Sequence, residues 1–328
     1  MIYNGVSVSS SFFNAYPNFQ LTTPDVAFHN WCSDAGIFIN DSVKVITTSQ
    51  SVAGRGVFAI DDLQQGELVA RIPTEVMLTT ETGREFFPDI AVEIERSVVK
   101  VDMDSERHSQ KSRIYRMWRK IRRKKSKQYY LADINDLWQP ELTLYALEAL
   151  KEDHPWSDWI LQWSRDDPTY NLFASNAKPF DEDTIISTAD ELQQISPYLN
   201  HLHLRAALGI KLGRLEEERD IVPLNDNRET SEMYAMLGSR AGDMGDGRTG
   251  VIPFHDMINH SLEPNISIDY ESEFIDIYAN CEISQGEELF LCYTKEQSTM
   301  TSTGALWALV QWGIPTPLSR INLMEDEF

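Results

Sequence analysis

The stretch PFHDMINHS, residues 253–261, places two imidazoles, a carboxylate and an amide within nine positions, directly after an apolar segment. His255, Asp256 and His260 could be metal ligands, because imidazole and carboxylate suit zinc or iron. A polar turn is the other interpretation, since the short side chains of Asp256 and Asn259 readily satisfy backbone donors. The stretch alone marks a specific site and leaves both interpretations open.

Two glycine-containing turns lie on either side of this stretch in the sequence. Gly54-Arg55-Gly56 follows a predicted strand, and glycine would let the backbone approach a ligand closely because it has no Cβ. The tripeptide lacks the third glycine and following helix of a dinucleotide-binding motif, so a hairpin bend is an equally simple interpretation. Further on, Gly286-Glu287-Glu288 predicts a turn into an apolar strand that ends at Tyr293.

Composition narrows the class of protein. With 328 residues, 42% hydrophobic and 24% charged, the chain is long enough for about two globular domains with a buried core. Subtracting 51 acidic from 29 basic residues gives a net charge of −22, which argues against a protein that coats nucleic acid or docks tightly on an anionic membrane.

The cysteines and the apolar segments predict the compartment. Three cysteines without a Cys-x-x-Cys pair exclude a disulfide scaffold and a cysteine-built zinc cluster, and they favour a reducing environment. The N-terminus has no basic residue followed by an apolar run, and no segment approaches 18 uninterrupted apolar residues. We therefore expect a soluble cytoplasmic or nuclear protein with no membrane span.

One basic stretch opposes the acidic balance. Lys111–Lys127 carries ten basic residues and no acidic one, which leaves 19 basic residues (29 minus 10) against 51 acidic ones elsewhere. A solvated surface insertion is one interpretation. The other is recruitment of an acidic partner, either RNA or an acidic protein face, and the interleaved apolar residues also permit a calmodulin-like or membrane-surface partner.

The order of patterns along the chain predicts an α+β fold. Residues 1–24 read as a flexible arm, and β-branched runs separated by turn residues predict short strands from Val43 and again after Gly250. Between Pro140 and Gly238 apolar residues recur at helical spacing, whereas residues 81–137 show poor periodicity. Helices inserted into a strand-built domain fit this order better than a doubly wound sheet.

Taken together, the motifs resemble the SET-domain methyltransferases. The motifs that carry the resemblance are Gly54-Arg55-Gly56-Val57-Phe58-Ala59, Gly66-Glu67-Leu68 with Ile72-Pro73, Asp256-x-x-Asn259-His260-Ser261, and Gly286-Glu287-Glu288 with Tyr293. The opening segment Phe28–Gly36, the long helical insert ending in Ser239-Arg240 and the lack of cysteine-rich zinc segments are similar to the Rubisco large-subunit methyltransferase-like branch. That branch also includes ribosomal-protein and actin methyltransferases.

The resemblance implies a domain plan. The SET domain would span 25–315, built of short strands with a pseudoknot and interrupted by a helical insert at about 138–249 and a basic insertion at about 104–128. Residues 316–328 would form an acidic tail, and the C-terminal substrate-binding domain of the branch would be absent or reduced.

The resemblance also implies an activity, namely methyl transfer from S-adenosylmethionine to a side-chain nitrogen of a protein substrate, with lysine as the expected acceptor. Tyr293 would be the catalytic residue, and no metal would take part. The cofactor would be bound by the residues Gly54, Arg55, Gly56, Asn259, His260 and Tyr293. The protein substrate would be bound by Ser239, Asp256 and Trp312.

Two departures from the branch keep other functions open. Trp312-Gly313-Ile314 stands where the branch commonly has Tyr-Gly-Phe, and Ala241-Gly242 follows Arg240 where the branch has an aromatic residue. A SET-fold binding module with weak or no turnover is the main alternative, and histidine as the methyl acceptor is another. A metal-dependent enzyme built on His255, Asp256 and His260 becomes a minor one.

Overall fold

The computed structural model describes residues 23–48, 51, 54–105, 137–152, 154–163, 182–209, 218, 222, 224, 228–244, 248–270, 273–293 and 302–312. The basic stretch Lys111–Lys127 and the predicted acidic tail lie outside these residues, as does the predicted arm except for Thr23 and Pro24. Within the described residues, no helix is long and apolar enough to cross a membrane.

Short strands and helices make up the described chain. The strands are β1 (Phe38–Ile39), β2 (Val43–Thr47), β3 (Arg55–Ala59), β4 (Leu68–Pro73), β5 (Leu78–Thr79), β6 (Gly242–Asp243), β7 (Thr249–Val251), β8 (Asn259–His260), β9 (Ile266–Tyr270), β10 (Phe274–Ala279) and β11 (Glu288–Leu291). The helices are α1 (Thr23–Asp34), α2 (Thr80–Phe86), α3 (Pro88–Ser105), α4 (Trp138–Lys151), α5 (Ser157–Ile160), α6 (Glu182–Ile195), α7 (201–209), α8 (Arg228–Arg240) and α9 (Ser302–Trp312).

The first of two compact units joins Met1–Thr74 to Pro253–Cys292 and is built mainly of strands. One sheet has the order β1-β4-β10-β9 and is antiparallel throughout. The other has the order β2-β3-β11-β8, in which β8 runs parallel to β11. Val57, Phe58 and Ala59 are consecutive and fully or almost fully buried, as expected for an interior strand, so β3 is a rigid base for the loop before it.

A buried carboxylate stabilises the antiparallel sheet. Arg71 on β4 donates from Nε and Nη2 to the two oxygens of Asp276 on β10, at 2.7 and 2.6 Å, and Asp276 is only 1% exposed. These hydrogen bonds from Arg71 hold the pKa of Asp276 below its usual value. The bidentate geometry is the strong form of the arginine–carboxylate pair and fixes the register of β4 against β10.

The second unit, Glu75–Ile252 with Tyr293–Phe328, is mainly helical and carries the small sheet β5-β7-β6. Arg84 on α2 binds the buried carboxylate of Glu141 on α4 with Nε at 2.7 Å, and the hydroxyl of Tyr145 donates to the same carboxylate at 2.8 Å. A separate apolar cluster joins α6, α7 and α9 through Leu192, Leu204 and Leu309, among others.

The predicted strands of the first unit are confirmed, but two features of the second unit differ from the sequence interpretation. Helices α2 and α3 occupy part of 81–137, where the sequence showed poor periodicity. Among the α3 side chains described in 88–97, Ala91 and Ile94 are buried and exposed Val92 lies between them, which blurs the helical spacing. Strands β6 and β7 begin inside the span that we expected to be helical insert. They are two and three residues long, too short for a visible alternation.

Candidate functional site

A turn with strained backbone lies near the start of the stretch 253–261. Phe254 has a positive φ of 67°, which is unusual for a bulky residue, and its side chain is fully buried. The turn leads through a 3₁₀ segment, His255–Met257, into the two-residue strand β8. Burial of the phenyl ring offsets the strain, and strained backbone of this kind is concentrated at functional sites.

The amide of Asn259 lies at the centre of a polar network in the first unit. Its Nδ2 is 2.6 Å from Glu288 Oε1, 2.8 Å from the carbonyl oxygen of Arg55 and 2.9 Å from Ser51 Oγ. Ser51 in turn donates its hydroxyl to Glu288 Oε1 at 3.0 Å. One side chain therefore ties together β8, β11 and the chain on both sides of Gly54.

The two glycines of the Gly54-Arg55-Gly56 turn have different roles. A Cβ on Gly56 would lie 2.1 Å from Glu288 Oε1, so the carboxylate occupies the space that the missing side chain leaves. Gly54 has a φ of +80° and no described atom within 4 Å of its Cβ position, so that side of the turn is open, while its N–H donates to the Ser51 carbonyl at 3.2 Å and its carbonyl accepts from the Thr48 amide at 2.8 Å. On the Cβ side, a ligand therefore has more room at Gly54 than at Gly56.

The sequence interpretation missed Glu288 and Ser51 as parts of this network. Glu288 was visible as the last residue of the Gly286-Glu287-Glu288 motif, without a predicted partner, and Ser51 belongs to a serine- and threonine-containing loop without a motif. Their hydrogen bond spans 237 positions in the chain. The pairing of β11 with β3 sets Glu288 opposite Phe58, two positions from Gly56, and so brings it near the loop that contains Ser51.

The remaining polar side chains of the 253–261 stretch have different surroundings. His260 is partly buried, and burial lowers the pKa of its imidazole while a hydrogen bond with the Leu291 backbone partly offsets the effect. Asp256 is buried near Cys32, and burial together with this carboxylate raises the pKa of the Cys32 thiol. Across the described ranges, no group of three His, Cys, Asp or Glu side chains is arranged to hold a metal ion.

His255 makes the stability of the first unit dependent on pH. Burial lowers the pKa of His255 to about 4, and its Nδ1 has no hydrogen-bond partner within the described part of the chain. The unfolded chain binds a proton on this imidazole more readily than the folded chain does. The free energy of unfolding is therefore not reduced by His255 above pH 6.5, and it decreases as the pH falls from 6.5 towards 4.

We expect His255→Gln to flatten the dependence of the unfolding free energy on pH between 6.5 and 4. Between pH 6.5 and 4 the variant should lose less unfolding free energy than the wild type, by at most about 3 kcal/mol, because each pKa unit corresponds to about 1.4 kcal/mol. Urea unfolding of both proteins at half-unit pH steps measures it. Parallel profiles would show that His255 titrates normally in the folded protein.

Two aromatic residues that the sequence placed in the site lie together in the second unit. Tyr293 follows β11 in the sequence after one residue, and Trp312 ends α9. Their ring centroids are 6.0 Å apart and the planes meet at 67°, which is an edge-to-face contact. Both side chains are partly exposed, so the pair forms an apolar wall that solvent or a ligand can reach.

The Ser-Arg pair ends α8 in the same unit. Ser239 donates its hydroxyl to the carbonyl oxygen of Met236 at 2.9 Å, and the guanidinium of Arg240 lies 5.8 Å from the ring centre of Trp163. The oxygen lone pairs of Ser239 can still accept a hydrogen bond. The predicted substrate residues Ser239 and Trp312 thus belong to helices α8 and α9, which contact each other.

Comparison with known proteins gives a family match. The family model described as SET domain matches residues 54–294. A segment of 87 residues is 30% identical to the protein-lysine N-methyltransferase SMYD4 of Pongo abelii, covering 25% of this chain and 11% of that protein.

Solved structures agree in fold. The structure of Rubisco LSMT bound to AdoMet covers 91% of this chain at a TM-score of 0.52 and 16% identity. The SET domain of LSMT bound to MeLysine and AdoHcy also covers 91%, at a TM-score of 0.52 and 14% identity. The chain spans 57% and 58% of these two structures, and at such identities the likeness concerns the fold. The predicted α+β class with a helical middle segment is thereby confirmed.

Proposed function

The chain belongs to the SET-domain family, and from that premise we propose that it transfers methyl groups from S-adenosylmethionine to side-chain nitrogens of a protein substrate, with lysine as the acceptor. The observation that carries the proposal is the Asn259 network, a polar cluster within the residues that the family model matches, beside the open Cβ side of Gly54. The methylated-lysine complex of LSMT, a relative in fold, supports lysine as acceptor.

The residues of the first unit fit the cofactor. S-adenosylmethionine, when bound, supplies an electrophilic methyl group on a sulfonium centre. The Cβ side of Gly54 is open, and the carbonyl oxygen of Gly54, which accepts from the Thr48 amide at 2.8 Å, keeps a second lone pair for a ligand. The Asn259 network holds this turn in place, and Arg55 and His260 flank Gly54 and Asn259 in the chain. Such preorganised groups hold a reacting centre in position, which is the main contribution an enzyme makes to methyl transfer.

The aromatic pair suits the acceptor side chain. A lysine has a pKa near 10.4 in water, so it must lose its proton before its nitrogen can attack. The rings of Tyr293 and Trp312 can pack on the aliphatic stem and exclude water, which favours the neutral amine. We assign the Tyr293 hydroxyl to orienting the methyl group, and Ser239 and Asp256 to binding the protein substrate.

Transfer of labelled methyl groups into a lysate, followed by mass spectrometric mapping of the labelled sites, tests this function. We expect label on lysines of one or few proteins, suppressed by excess S-adenosylhomocysteine. Label on histidine would show that histidine, and not lysine, is the methyl acceptor. Calorimetric binding of S-adenosylmethionine without label in any protein would identify a binding module, and failure of both would leave only the fold.

We also propose that Lys111–Lys127 recruits the substrate or an associated RNA through its ten basic residues. Deleting 111–127 should leave S-adenosylmethionine affinity unchanged and lower methylation of the natural substrate, most strongly at low salt, where charge attraction is least screened. Binding to single-stranded RNA should weaken with salt with a slope near −0.7 per neutralised phosphate. Ribonuclease treatment distinguishes the two partners, because it should abolish the effect of the deletion if the partner is RNA and leave it if the partner is an acidic protein face. Equal methylation by the deleted and intact proteins at every salt concentration would identify residues 111–127 as a solvated insertion.

A further inference from the structure

In the second unit, two glutamine side chains donate hydrogen bonds to the same helix, α8, one from α4 and the other from α9. Gln139 on α4 donates Nε2 to the carbonyl oxygen of Tyr234 at 2.8 Å. Gln311 on α9 donates Nε2 to the carbonyl oxygen of Gly238. The last carbonyls of a helix have no partner within it, so Gln311 satisfies one of the orphan acceptors of α8.

Gly238 makes this convergence possible. A Cβ at this position would lie 2.6 Å from Gln139 Nε2 and 3.6 Å from Gln311 Nε2. The glycine therefore lets α4 and α9 bring their amides to the same turn of α8. Glycine lowers helix stability by about 1 kcal/mol relative to alanine, so its presence in a helix interior has a packing reason here.

Apolar packing holds the other side of α9. Ala305, Leu306, Leu309 and Val310 are buried in the cluster with α6 and α7. At about 100° per residue, Gln311 lies on the face of α9 opposite the centre of this stripe. Burial of apolar surface is non-directional and resists separation of the helices, whereas a hydrogen bond also fixes how far α9 slides or turns.

The two ends of this hydrogen bond are sequence neighbours of predicted substrate residues. Gln311 precedes Trp312, and Gly238 precedes Ser239. We propose that Gln311 is a positioning residue whose bond to Gly238 fixes Trp312 relative to Ser239 and thereby sets the affinity for the protein substrate. This inference rests on the proposed function, because it takes both residues as parts of the substrate side of the site.

Gln311→Glu tests the proposal, since it keeps the size of the side chain and removes the donor. We expect KM for the protein labelled in the lysate experiment to rise about fivefold, which corresponds to about 1 kcal/mol, while kcat changes less than about twofold. Gln311→Ala should behave alike, and Gln311→Lys, which restores a donor, should recover most of the affinity. Hydrogen–deuterium exchange in 305–312 should be faster in the first two variants without any ligand.

Gln139→Ala is the matched control, because it removes a glutamine that donates to the same helix from α4, which carries no predicted site residue. It should lower the melting temperature and leave KM unchanged. Wild-type KM and wild-type exchange in Gln311→Glu would overturn the proposal, as would an equal rise of KM in Gln139→Ala. Absence of methyl transfer by the wild type would refute the proposed function instead, and the exchange measurement would still test the hydrogen bond.

Discussion

Asn259→Ala should weaken S-adenosylmethionine binding by about tenfold or more and lower the free energy of unfolding by about 1–3 kcal/mol for each group left without its donor. Nδ2 of Asn259 donates to the Arg55 carbonyl at 2.8 Å and to the Glu288 carboxylate at 2.6 Å. Alanine removes both hydrogen bonds, and hydrogen bonds to charged groups are among the stronger ones. Isothermal calorimetry gives the affinity, and urea unfolding gives the stability.

Asn265 is a matched control for this substitution. It is also an asparagine bound to β11, donating Nδ2 to the Glu288 carbonyl at 2.9 Å and accepting from the Phe290 amide at 2.7 Å. Asn265→Ala should therefore lower stability through the same strand and leave cofactor affinity near that of the wild type. Equal losses of affinity in the two variants would mean that Asn259 acts only through the stability of β11.

The strands of the first unit were predictable because their side chains alternate or form short buried runs. In β2, Val43 and Val45 are buried and Lys44 between them is half-buried, and Val45 and Ile46 then form a short buried run. The same reasoning failed for α2, which begins with a capping box between Thr79 and Thr82. Threonine replaces the usual glutamate or glutamine at the second position of that box, so the sequence signal is weak.

The candidate site was predictable as a set of motifs and not as a set of contacts. Asn259 was identified from its neighbours in the chain, but its acceptors come from residues 29 and 204 positions away. The contact at Gly56 is also made across a long stretch of sequence, because its missing side chain makes room for the carboxylate of Glu288. Register between strands decides such contacts, and register is set by pairing that no local pattern contains.

Tyr293→Phe should lower kcat by at least about tenfold, or 1.4 kcal/mol in activation free energy, while leaving the fold intact. Phenylalanine keeps the ring that meets Trp312 edge to face at a centroid distance of 6.0 Å, so the apolar wall and its packing remain. What is lost is one hydroxyl, which we assign to orienting the methyl group and stabilising the cationic centre.

Tyr270 provides the matched control for removal of a tyrosine hydroxyl, because it lies exposed at the end of β9 and belongs to none of the predicted site motifs. Single-turnover methylation of the mapped substrate at saturating S-adenosylmethionine should show a loss in Tyr293→Phe and none in Tyr270→Phe. Because the ring is retained, a lower rate without a change in melting temperature isolates the hydroxyl. A wild-type rate in Tyr293→Phe would remove Tyr293 from the catalytic assignment and leave its ring as a packing element beside Trp312.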